Sequence, residues 1–360
     1  LFRSDVSLAE DNQVLNEVVV VGYGTQKKGD LTSAISSVKQ ENFVKGFVRD
    51  AAQLIQGKVA GLSVSTSSGS PTAGTQIQLR GITTLNASTA PLVLIDGVPG
   101  NLNSVSPEDI ESMDVLKDGS AAAIYGTRGT NGVILITTRK IQGGGRSVVE
   151  YNTYGSIQTI ARRPRFLNAD EFREFGRQGL PFTDYGLNTD WFKEISRPTP
   201  FSQTHNLTFQ GGNRQTSYTA NINYRNWEGM FLKSVNRQLT LRADVNHSMF
   251  DGKVKVNLNI VSRQRNDDGE FNSYVYRQSV IRNPTDSVYD YRGNWKERNI
   301  YFYDNPLAYL METNARNEVQ ETRLSGSVTA NLAKGLNAKL LLASVTSEFL
   351  TGFAETKKHV

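Results

Sequence analysis

Hydrophobic and polar residues follow two different patterns along the 360-residue chain. Between residues 30 and 140, short apolar runs are separated by turns rich in Gly, Pro and Asp, whereas beyond residue 146 apolar and polar residues alternate. Alternation with a period of two is typical of strands that have one apolar and one polar face. The alternating stretches predict seven strands, at 147–157, 202–211, 215–228, 236–250, 253–265, 318–332 and 336–350.

The pattern of residues 30–140 predicts a small α+β domain. Its β-branched and aliphatic runs are typical of short strands. A helix is expected to begin at Pro107, because Pro suits the first helical position and Ser106 can cap the helix. A second, Ala-rich helix is predicted at 120–125. The predicted strands lie at 59–64, 75–81, 91–95 and 133–138, with a tight turn at Asp96-Gly97 after the third.

The connections between the seven alternating strands are themselves sorted by length. The stretches 158–201, 229–235 and 266–317 are each longer than the connections beside them. A transmembrane β-barrel gives this order, because its periplasmic turns are short and its extracellular loops are longer. A soluble sandwich has no reason to sort its loops. No apolar run reaches the roughly 18 residues of a spanning helix, which excludes a helical membrane protein.

A barrel also predicts the direction of the side chains. Apolar side chains should face lipid, and polar side chains should face the lumen, where they stay hydrated. The lipid-facing set includes Ile222, Leu241 and Val256, and the lumen-facing set includes Asn223, Arg242 and Asn257.

Composition and charge exclude several kinds of chemistry. The chain has no cysteine and three scattered histidines, so neither disulfides nor a metal site is expected, and no cofactor is implied. The net charge of +5 is spread without a Lys/Arg run, which argues against nucleic acid as a partner. The carboxylates Asp109, Glu111 and Asp114 are expected to complement the dipole of the predicted helix. No catalytic motif accompanies them, and we predict that the protein is not an enzyme.

A run of valines, Glu17–Val21 (EVVVV), follows a polar leader and precedes the α+β domain. Its composition favours a first core strand of that domain. The alternative is a detachable strand that adds to the edge of a partner's sheet through backbone hydrogen bonds. The residues alone leave both possibilities open.

Several ordered motifs resemble one known family. Residues 15–25 (LNEVVVVGYGT), 56–61 (QGKVAG) and 91–99 (PLVLIDGVP) closely resemble the SusC/RagA family of TonB-dependent outer-membrane transporters. The same resemblance continues in DIE at 109–111 with VLKD at 115–118, and in AAAIYG at 121–126 through NGVI at 131–134. The matches are long and in order, and they cover the whole α+β domain.

The resemblance implies an α+β plug domain followed by part of a large antiparallel transmembrane β-barrel, about 22 strands when complete. Residues 1–29 are then a leader with a TonB-box-like strand, 30–140 the plug, and 146–360 the first part of the barrel. Seven strands leave an open edge, so we expect the chain to be the N-terminal third or so of a longer protein. The implied location is the bacterial outer membrane, with the plug and the N-terminus facing the periplasm.

The implied function is TonB-dependent import of oligosaccharide or peptide nutrients. The implied partners are TonB, energised by the inner-membrane ExbB–ExbD complex, a SusD-like surface lipoprotein that closes over the substrate, and outer-membrane lipid. A dimer of transporter–lid pairs is a further expectation. Two alternatives stay open: a barrel scaffold within an outer-membrane assembly or secretion complex, and a TonB-dependent siderophore receptor.

The same resemblance implies which residues of the leader bind TonB. The valine run becomes the TonB-box-like strand, because TonB supplies the partner sheet that the run lacks. The residues of this strand are Glu17, Val18, Val19, Val20 and Val21.

Two further sets of site residues are expected in the plug and in the loops. Arg80 and Arg128 match plug arginines that pair with acids of the barrel wall, and both are expected to be buried there. Aromatic residues of the two long loops are weaker candidates for substrate contact, because they can equally pack against one another. They are Trp191, Tyr289, Tyr291, Trp295 and Tyr301.

Overall fold

The computed structural model describes two sheet-based parts of the chain. A five-stranded sheet lies within residues 35–138 and a seven-stranded sheet within residues 148–355. We call residues 35–140 the plug and the seven-stranded sheet the wall. The described residues are 18–21 and 24–27 (backbone alone), 35–66, 70–71, 73–79, 81, 89–117, 125–140, 147–163, 165–179, 181–269, 273–298, 300, 303–333 and 335–356.

The plug is a mixed sheet covered on one side by a short helix and a hairpin. Two strands precede the plug, β1 (Val18–Val21) and β2 (Gly24–Lys27). The strands of the plug, including those of the hairpin, are β3 (Ile35–Lys39), β4 (Leu62–Thr66), β5 (Thr75–Leu79), β6 (Leu92–Ile95), β7 (Val98–Pro99), β8 (Ile110–Leu116) and β9 (Val133–Thr138). The sheet order is β3-β8-β9-β6-β7, and β6 runs parallel to β9. Helix α1 (Ala51–Leu54) and the β4–β5 hairpin pack on the buried face, against Ile110, Met113 and Ile134.

The plug strands predicted at 75–81, 91–95 and 133–138 and the turn after β6 are confirmed, whereas the strand predicted at 59–64 begins at Leu62 and continues to Thr66. Asp96 and Gly97 have φ angles of 51° and 88°, and both lie in the left-handed region that a tight two-residue hairpin needs. Strand β9 matches its predicted range of 133–138. It pairs with strands on both sides, which explains its continuous run of Val and Ile.

The helix predicted at Pro107 is wrong. Pro107–Asp109 form one 3-10 turn without a side-chain cap from Ser106, and the chain then enters β8. Strand β8 lies between β3 and β9, so Ile110 and Met113 are buried in the sheet. Burial against two neighbouring strands outweighs the local helix signals. The helix predicted at 120–125 lies outside the described residues, apart from Tyr125.

The seven predicted wall strands are confirmed. All neighbours are antiparallel and follow chain order. The last two strands are longer than predicted, because β15 already begins at Thr313 and β16 extends to Glu355. The strands are β10 (Val148–Ile157), β11 (Phe201–Gly212), β12 (Thr216–Glu228), β13 (Val235–Met249), β14 (Val254–Asp268), β15 (Thr313–Ala333) and β16 (Leu336–Glu355).

Short turns join the wall strands at one end, and two long connections lie at the other. The short turns are at 213–215, 250–253 and 334–335. The long connections, 158–200 and 269–312, contain helices α2 (Ala169–Arg177), α3 (Trp191–Ile195), α4 (Ser273–Ile281) and α5 (Pro306–Glu312). None of the helices in the described part of the chain is long and apolar enough to cross a membrane.

In β11, β12 and β13 the wall buries its polar face and exposes its apolar face, whereas β16 is exposed on both faces. Asn223 and Arg242 are 0% and 5% exposed, whereas their neighbours Ile222 and Leu241 are 42% and 43% exposed. The polar face is covered by the plug, through contacts described below. The free energy falls when apolar side chains leave water, so an outward apolar face indicates a lipid environment. The predicted directions of these four side chains are confirmed.

The outward face becomes polar toward the loop end of the strands. In β14 the outward apolar residue Ile260 is followed by Gln264 and Asp268, and in β15 the outward Leu324 gives way to Gln320 and Arg316. A tilted strand needs about 9–11 residues to cross lipid. Since the change comes at about that distance from the short turns, the loop ends of β14 and β15 project beyond the membrane.

The facing of the strands can be measured with nitroxide labels at Val245 and Asn246. Val245 is exposed on the outward face, and Asn246 is half-buried on the inward face. In lipid vesicles, we expect oxygen to relax the label at 245 several-fold more than a water-soluble nickel complex does, with the reverse at 246. A label at the exposed loop residue Tyr291 serves as the aqueous control. Equal accessibility at 245 and 246 would contradict the lipid-facing assignment.

Candidate functional site

One plug carboxylate, that of Glu108, receives side chains from two wall strands. The 3-10 turn at 107–109 places Glu108 against the wall, immediately before β8. Arg225 of β12 donates through Nη2 at 2.6 Å, and Asn223 donates through Nδ2 at 3.1 Å. The hydroxyl of Tyr154, on β10, donates at 3.0 Å. Arg225 is 2% exposed, so this is a buried, charge-assisted contact between plug and wall.

The two neighbouring carboxylates of this turn differ in acidity. Burial raises the pKa of Glu108, but the Arg225 guanidinium and the hydrogen bonds to the carboxylate outweigh burial and hold this pKa below its usual value. Burial raises the pKa of Asp109 to about 6, and the charge of Glu108 adds to the rise. Glu108 is therefore charged in its contact with Arg225, whereas Asp109 takes up a proton close to neutral pH.

Asp109 should make plug stability depend on pH. Its pKa rises from 3.8 to about 6 in the folded plug, so its protonation contributes stability that is full below pH 4 and is lost as the pH rises through 6. Asp109→Asn should therefore stabilise the plug at pH 7–8, by about 1–3 kcal/mol, and flatten the stability between pH 4 and 6. Denaturant unfolding of the full-length protein across this pH range measures the effect. Glu111→Gln, at an exposed acid of β8, is the control, and an Asp109→Asn profile parallel to wild type would contradict the assignment.

A second contact joins the end of β9 to the wall. Arg242 of β13 donates through Nη2 to Thr138 Oγ1 at 2.6 Å, and Thr138 Oγ1 in turn donates to Asp96 at 2.6 Å. Lys140 Nζ lies 3.7 Å from a carboxylate oxygen of Asp96 and 3.7 Å from one of Asp244, on the wall. Asp96 thus forms the predicted turn and also helps to hold the plug.

Further wall arginines reach backbone carbonyls of the plug. Arg225 Nη1 donates to the carbonyl of Arg49 at 3.2 Å, and Arg263 Nη1 donates to that of Asn103 at 2.8 Å. Phe47 meets Trp227 of β12 edge to face at 5.3 Å between ring centres. In the contacts with Glu108, Thr138, Arg49 and Asn103, the wall supplies the guanidinium groups and the plug supplies the acceptors. Because each guanidinium is anchored on a rigid strand, the contacts fix the plug in one orientation.

The predicted lock places its arginines on the plug. One described contact has that polarity, because Arg139 of the plug donates through Nη2 to Glu150 of β10 at 3.1 Å, but the predicted residues are others. Arg80 lies outside the described residues. Arg128 lies in the 3-10 turn Gly126–Gly129, and its side chain is exposed rather than buried. No described residue forms an ion pair with it. Pairing of Arg80 and Arg128 with wall acids stays a prediction.

The residues of the observed lock carried a signal in the sequence that the family motifs do not contain. Arg225, Arg242 and Arg263 all fall in the polar phase of the alternating strands, where a buried guanidinium needs an acceptor. Nothing in the sequence singles out Glu108, which lies at the start of the helix predicted at Pro107. The sequence pattern therefore identifies the wall arginines that form the contacts, but it does not identify the plug residues that accept their hydrogen bonds.

The strand predicted to bind TonB lies apart from the plug sheet. Glu17 lies outside the described residues, and the other four predicted residues form β1, which pairs antiparallel with β2. Neither strand belongs to the five-stranded sheet, so the prediction of a first core strand, which the composition favoured, is wrong. The backbone of β1 is extended, as strand addition to a partner requires. The pairs are Val18 with Lys27, Val19 with Gln26, Val20 with Thr25 and Val21 with Gly24.

The pairing with β2 occupies one edge of β1, and a second strand can add only at the other edge. The assignment of Glu17, Val18, Val19, Val20 and Val21 as the TonB-box-like strand stays a prediction.

The aromatic candidates of the long loops divide between packed and exposed positions. Trp191 is 3% exposed, and its Nε1 donates to the carbonyl of Asn283 at 2.9 Å. Tyr289 and Trp295 stack on each other with ring centres 4.9 Å apart. Tyr291 is 87% exposed. Tyr301 lies outside the described residues, so Tyr291 is the most exposed of the described aromatic candidates.

A buried guanidinium ties the two long connections together. Arg282 follows α4, lies over the rings of Trp191 and Tyr303, and donates to the carbonyls of Tyr303 and Lys296 at 2.9 and 2.7 Å. Asp286 lies 3.5 Å from the Arg282 guanidinium. Trp191 thus belongs to the core of the loop structure, which makes it a poor candidate for direct contact with substrate.

Comparison with known proteins identifies the plug and its wall. Residues 27–133 match the TonB-dependent Receptor Plug Domain. Over 271 residues, the chain is 38% identical to the TonB-dependent receptor SusC of Bacteroides thetaiotaomicron, which covers 71% of this chain and 27% of SusC. The fold is similar to a structure of the RagAB peptide importer in the 'open-open' state, with a TM-score of 0.79, 25% identity, and coverage of 94% of this chain and 43% of that chain. The chain belongs to the SusC/RagA family of TonB-dependent receptors.

Family membership extends over most of the chain. The TonB-dependent receptor P39 of Formosa agariphila is 31% identical over 355 residues, which cover 94% of this chain and 33% of P39. The TonB-dependent receptor P26 of the same organism is 34% identical over 311 residues. This SusC/RagA chain spans about a quarter to a third of the length of these curated relatives. The plug and the seven-stranded wall are therefore a plug domain and part of a β-barrel.

Proposed function

We propose that the protein imports oligosaccharide or peptide nutrients across the outer membrane in a TonB-dependent manner. The observation that carries the proposal is the plug, held against the polar face of the wall by discrete hydrogen-bonded ion pairs such as Glu108–Arg225. Such contacts hold a closed state and re-form after they are broken. The names of the relatives support the same function, since SusC is a TonB-dependent receptor and RagAB a peptide importer.

The path of force follows from the order of strands. A pull on β1 passes through β2 to β3, which is the edge strand of the plug sheet and pairs only with β8 among the described strands. The turn that carries Glu108 leads directly into β8. Tension enters β3 at Ile35, which pairs with Leu116 at the end of β8, and it reaches the Glu108 turn along the length of these two strands. Once the plug is displaced, the Asn, Thr and Ser side chains of the wall solvate a hydrophilic substrate.

The proposal includes an orientation and a set of partners. The short turns face the periplasm, and α2–α5 face the cell exterior, as in bacterial barrels generally. TonB, driven by ExbB–ExbD, takes β1 from the periplasmic side, and a SusD-like lipoprotein covers the long loops. Residues 1–29, 30–140 and 146–360 are the leader, the plug and the first part of a barrel of about 22 strands.

Uptake by cells tests the function. Cells with and without the gene are incubated with mixed labelled oligosaccharides and, separately, mixed labelled peptides, and the components lost from the medium are identified. We expect a subset of the labelled oligosaccharides or peptides to disappear from the medium only when the gene is present. A protonophore should stop this uptake. If nothing is taken up, and the full-length protein co-purifies with subunits of an assembly or secretion machine, the scaffold alternative replaces the proposal.

A further inference from the structure

A hydrophilic cavity lies between the plug and the wall at the end that carries the short turns. Its volume is about 770 Å³. Thr138 lines it from the plug, and Ser217, Asn246, Asn257 and Ser327 line it from four wall strands. Val256, which lies in the apolar phase of β14, is the one apolar residue among the described residues that border it. Small-molecule pockets of this size are mostly apolar, so this lining indicates a hydrated space for a polar solute.

The charges around the cavity are mostly positive. Arg214, Lys255 and Lys339 line it, and no described residue forms an ion pair with any of the three. Lys140 also lines it but is shared between Asp96 and Asp244. Glu111 is the acid among the described lining residues. Cations that surround a partly enclosed space add their potentials there and raise the local concentration of anions.

The strand register places two of these lysines side by side on the inward face. Lys255 pairs with Thr329, and Thr329 pairs with Lys339, so the three residues form one row across β14, β15 and β16. Two strand spacings separate the lysine Cα atoms, which is about 10 Å. The adjacent row, Val256, Val328 and Leu340, belongs to the opposite, apolar face. Lys255 and Lys339 therefore lie on the face that contacts solutes in the lumen, and not on the face that contacts lipid.

We propose that this cavity is an anion-binding vestibule at the periplasmic end of the transport path, for solutes that carry carboxylate, phosphate or sulfate groups. Its place on a transport path rests on the proposed function, whereas its preference for anions rests on the lining alone. An anionic group bound here lies between Lys255 and Lys339, and the surrounding amides and hydroxyls solvate the rest of the solute. The vestibule would favour the passage of acidic over neutral substrates.

Fluorescence quenching tests the preference for anions without any need for uptake. Thr329→Cys in the full-length protein, freed of any other cysteine, carries a fluorophore between the two lysines, in phosphatidylcholine vesicles at low salt. Iodide probes the local anion concentration and acrylamide probes access. We expect the iodide-to-acrylamide quenching ratio to fall about two- to three-fold when Lys255→Gln and Lys339→Gln are combined. In about 0.1 M salt the difference should shrink, because the Debye length is then about 10 Å.

Matched variants show whether charge is the cause. Lys253→Gln removes a neighbouring lysine that does not line the cavity, and it should leave the ratio unchanged. Lys255→Arg with Lys339→Arg keeps the charge, and it should keep the wild-type ratio. An unchanged ratio in the double Gln variant would overturn the proposal. So would a ratio that drops in wild type when phosphatidylglycerol is added to the vesicles, because the lysines would then face lipid. If the protein imports nothing but the iodide-to-acrylamide quenching ratio depends on the two lysines as expected, the proposed function is overturned. The anion preference of the cavity is then still supported.

Discussion

Replacing Arg225 by alanine should release the plug from the wall and turn a closed barrel into a leaky one. The guanidinium is 2% exposed and donates to both Glu108 and the carbonyl of Arg49. Removing it leaves the charge of Glu108 in a buried site, which costs about 3–5 kcal/mol when one partner of a buried pair is deleted. Planar-bilayer conductance of the full-length protein should rise, and denaturant should release the plug at a lower concentration.

A surface ion pair of the same wall is the matched control. Arg237 and Asp268 lie 2.6 Å apart, but their side chains are 50% and 34% exposed. Such a pair contributes about 0–1 kcal/mol, so Arg237→Ala should leave conductance at the wild-type level. Adding Glu108→Gln to Arg225→Ala should recover part of the lost stability, because it removes the unpaired charge. Equal leakage from Arg225→Ala and Arg237→Ala would refute the lock.

Replacing Val19 by proline should stop energised uptake while the barrel still assembles and binds substrate. Strand addition to a partner depends on backbone donors, and proline has none. One lost hydrogen bond that leaves its partner unsatisfied costs about 1–3 kcal/mol, which is roughly a ten- to hundred-fold loss of affinity for TonB. Val19 lies in β1, outside the plug sheet, so the plug should fold normally.

Uptake of a nutrient found in the cell assay measures this effect. Val19→Thr keeps the backbone donor and the β-branched side chain, so it should transport like wild type. Surface binding of the labelled nutrient in de-energised cells should be equal in all three proteins. Uptake at the wild-type level by Val19→Pro would contradict the assignment of β1 as the TonB-binding strand.

The wall was predictable from the chain alone, down to the side on which residues such as Ile222 and Asn223 lie. Alternation with a period of two depends on the chemistry of single residues and their nearest neighbours, so it is written locally. The order of short and long connections indicated a transmembrane barrel, and ordered motifs such as PLVLIDGVP indicated the family. The first residues of β15 (313–317) and the last residues of β16 (351–355) lie outside the predicted ranges, because the regular alternation of apolar and polar residues is lost there.

The interface between plug and wall could not be predicted in the same way. Glu108 and Arg225 are separated by 117 residues, and nothing near either residue indicates the other. The family motifs contain Arg80 and Arg128, whereas the described contacts to Glu108 and Thr138 use arginines of the wall. Trp191 had the exposed-loop position of a substrate contact, but its burial depends on Arg282 and Asn283, in a different connection.

The sequence by itself determined the two-part architecture, the strands of the wall with their lipid and lumen faces, and the extended valine run before the plug. Each of these depends on local residue chemistry, repeated along the chain. Only the tertiary structure decided that residues 110–116 form a strand instead of a helix, that Glu108 meets Arg225, and that Lys255 and Lys339 border one cavity. These features depend on pairing between distant segments, where burial and charge compensation outweigh what each segment favours alone.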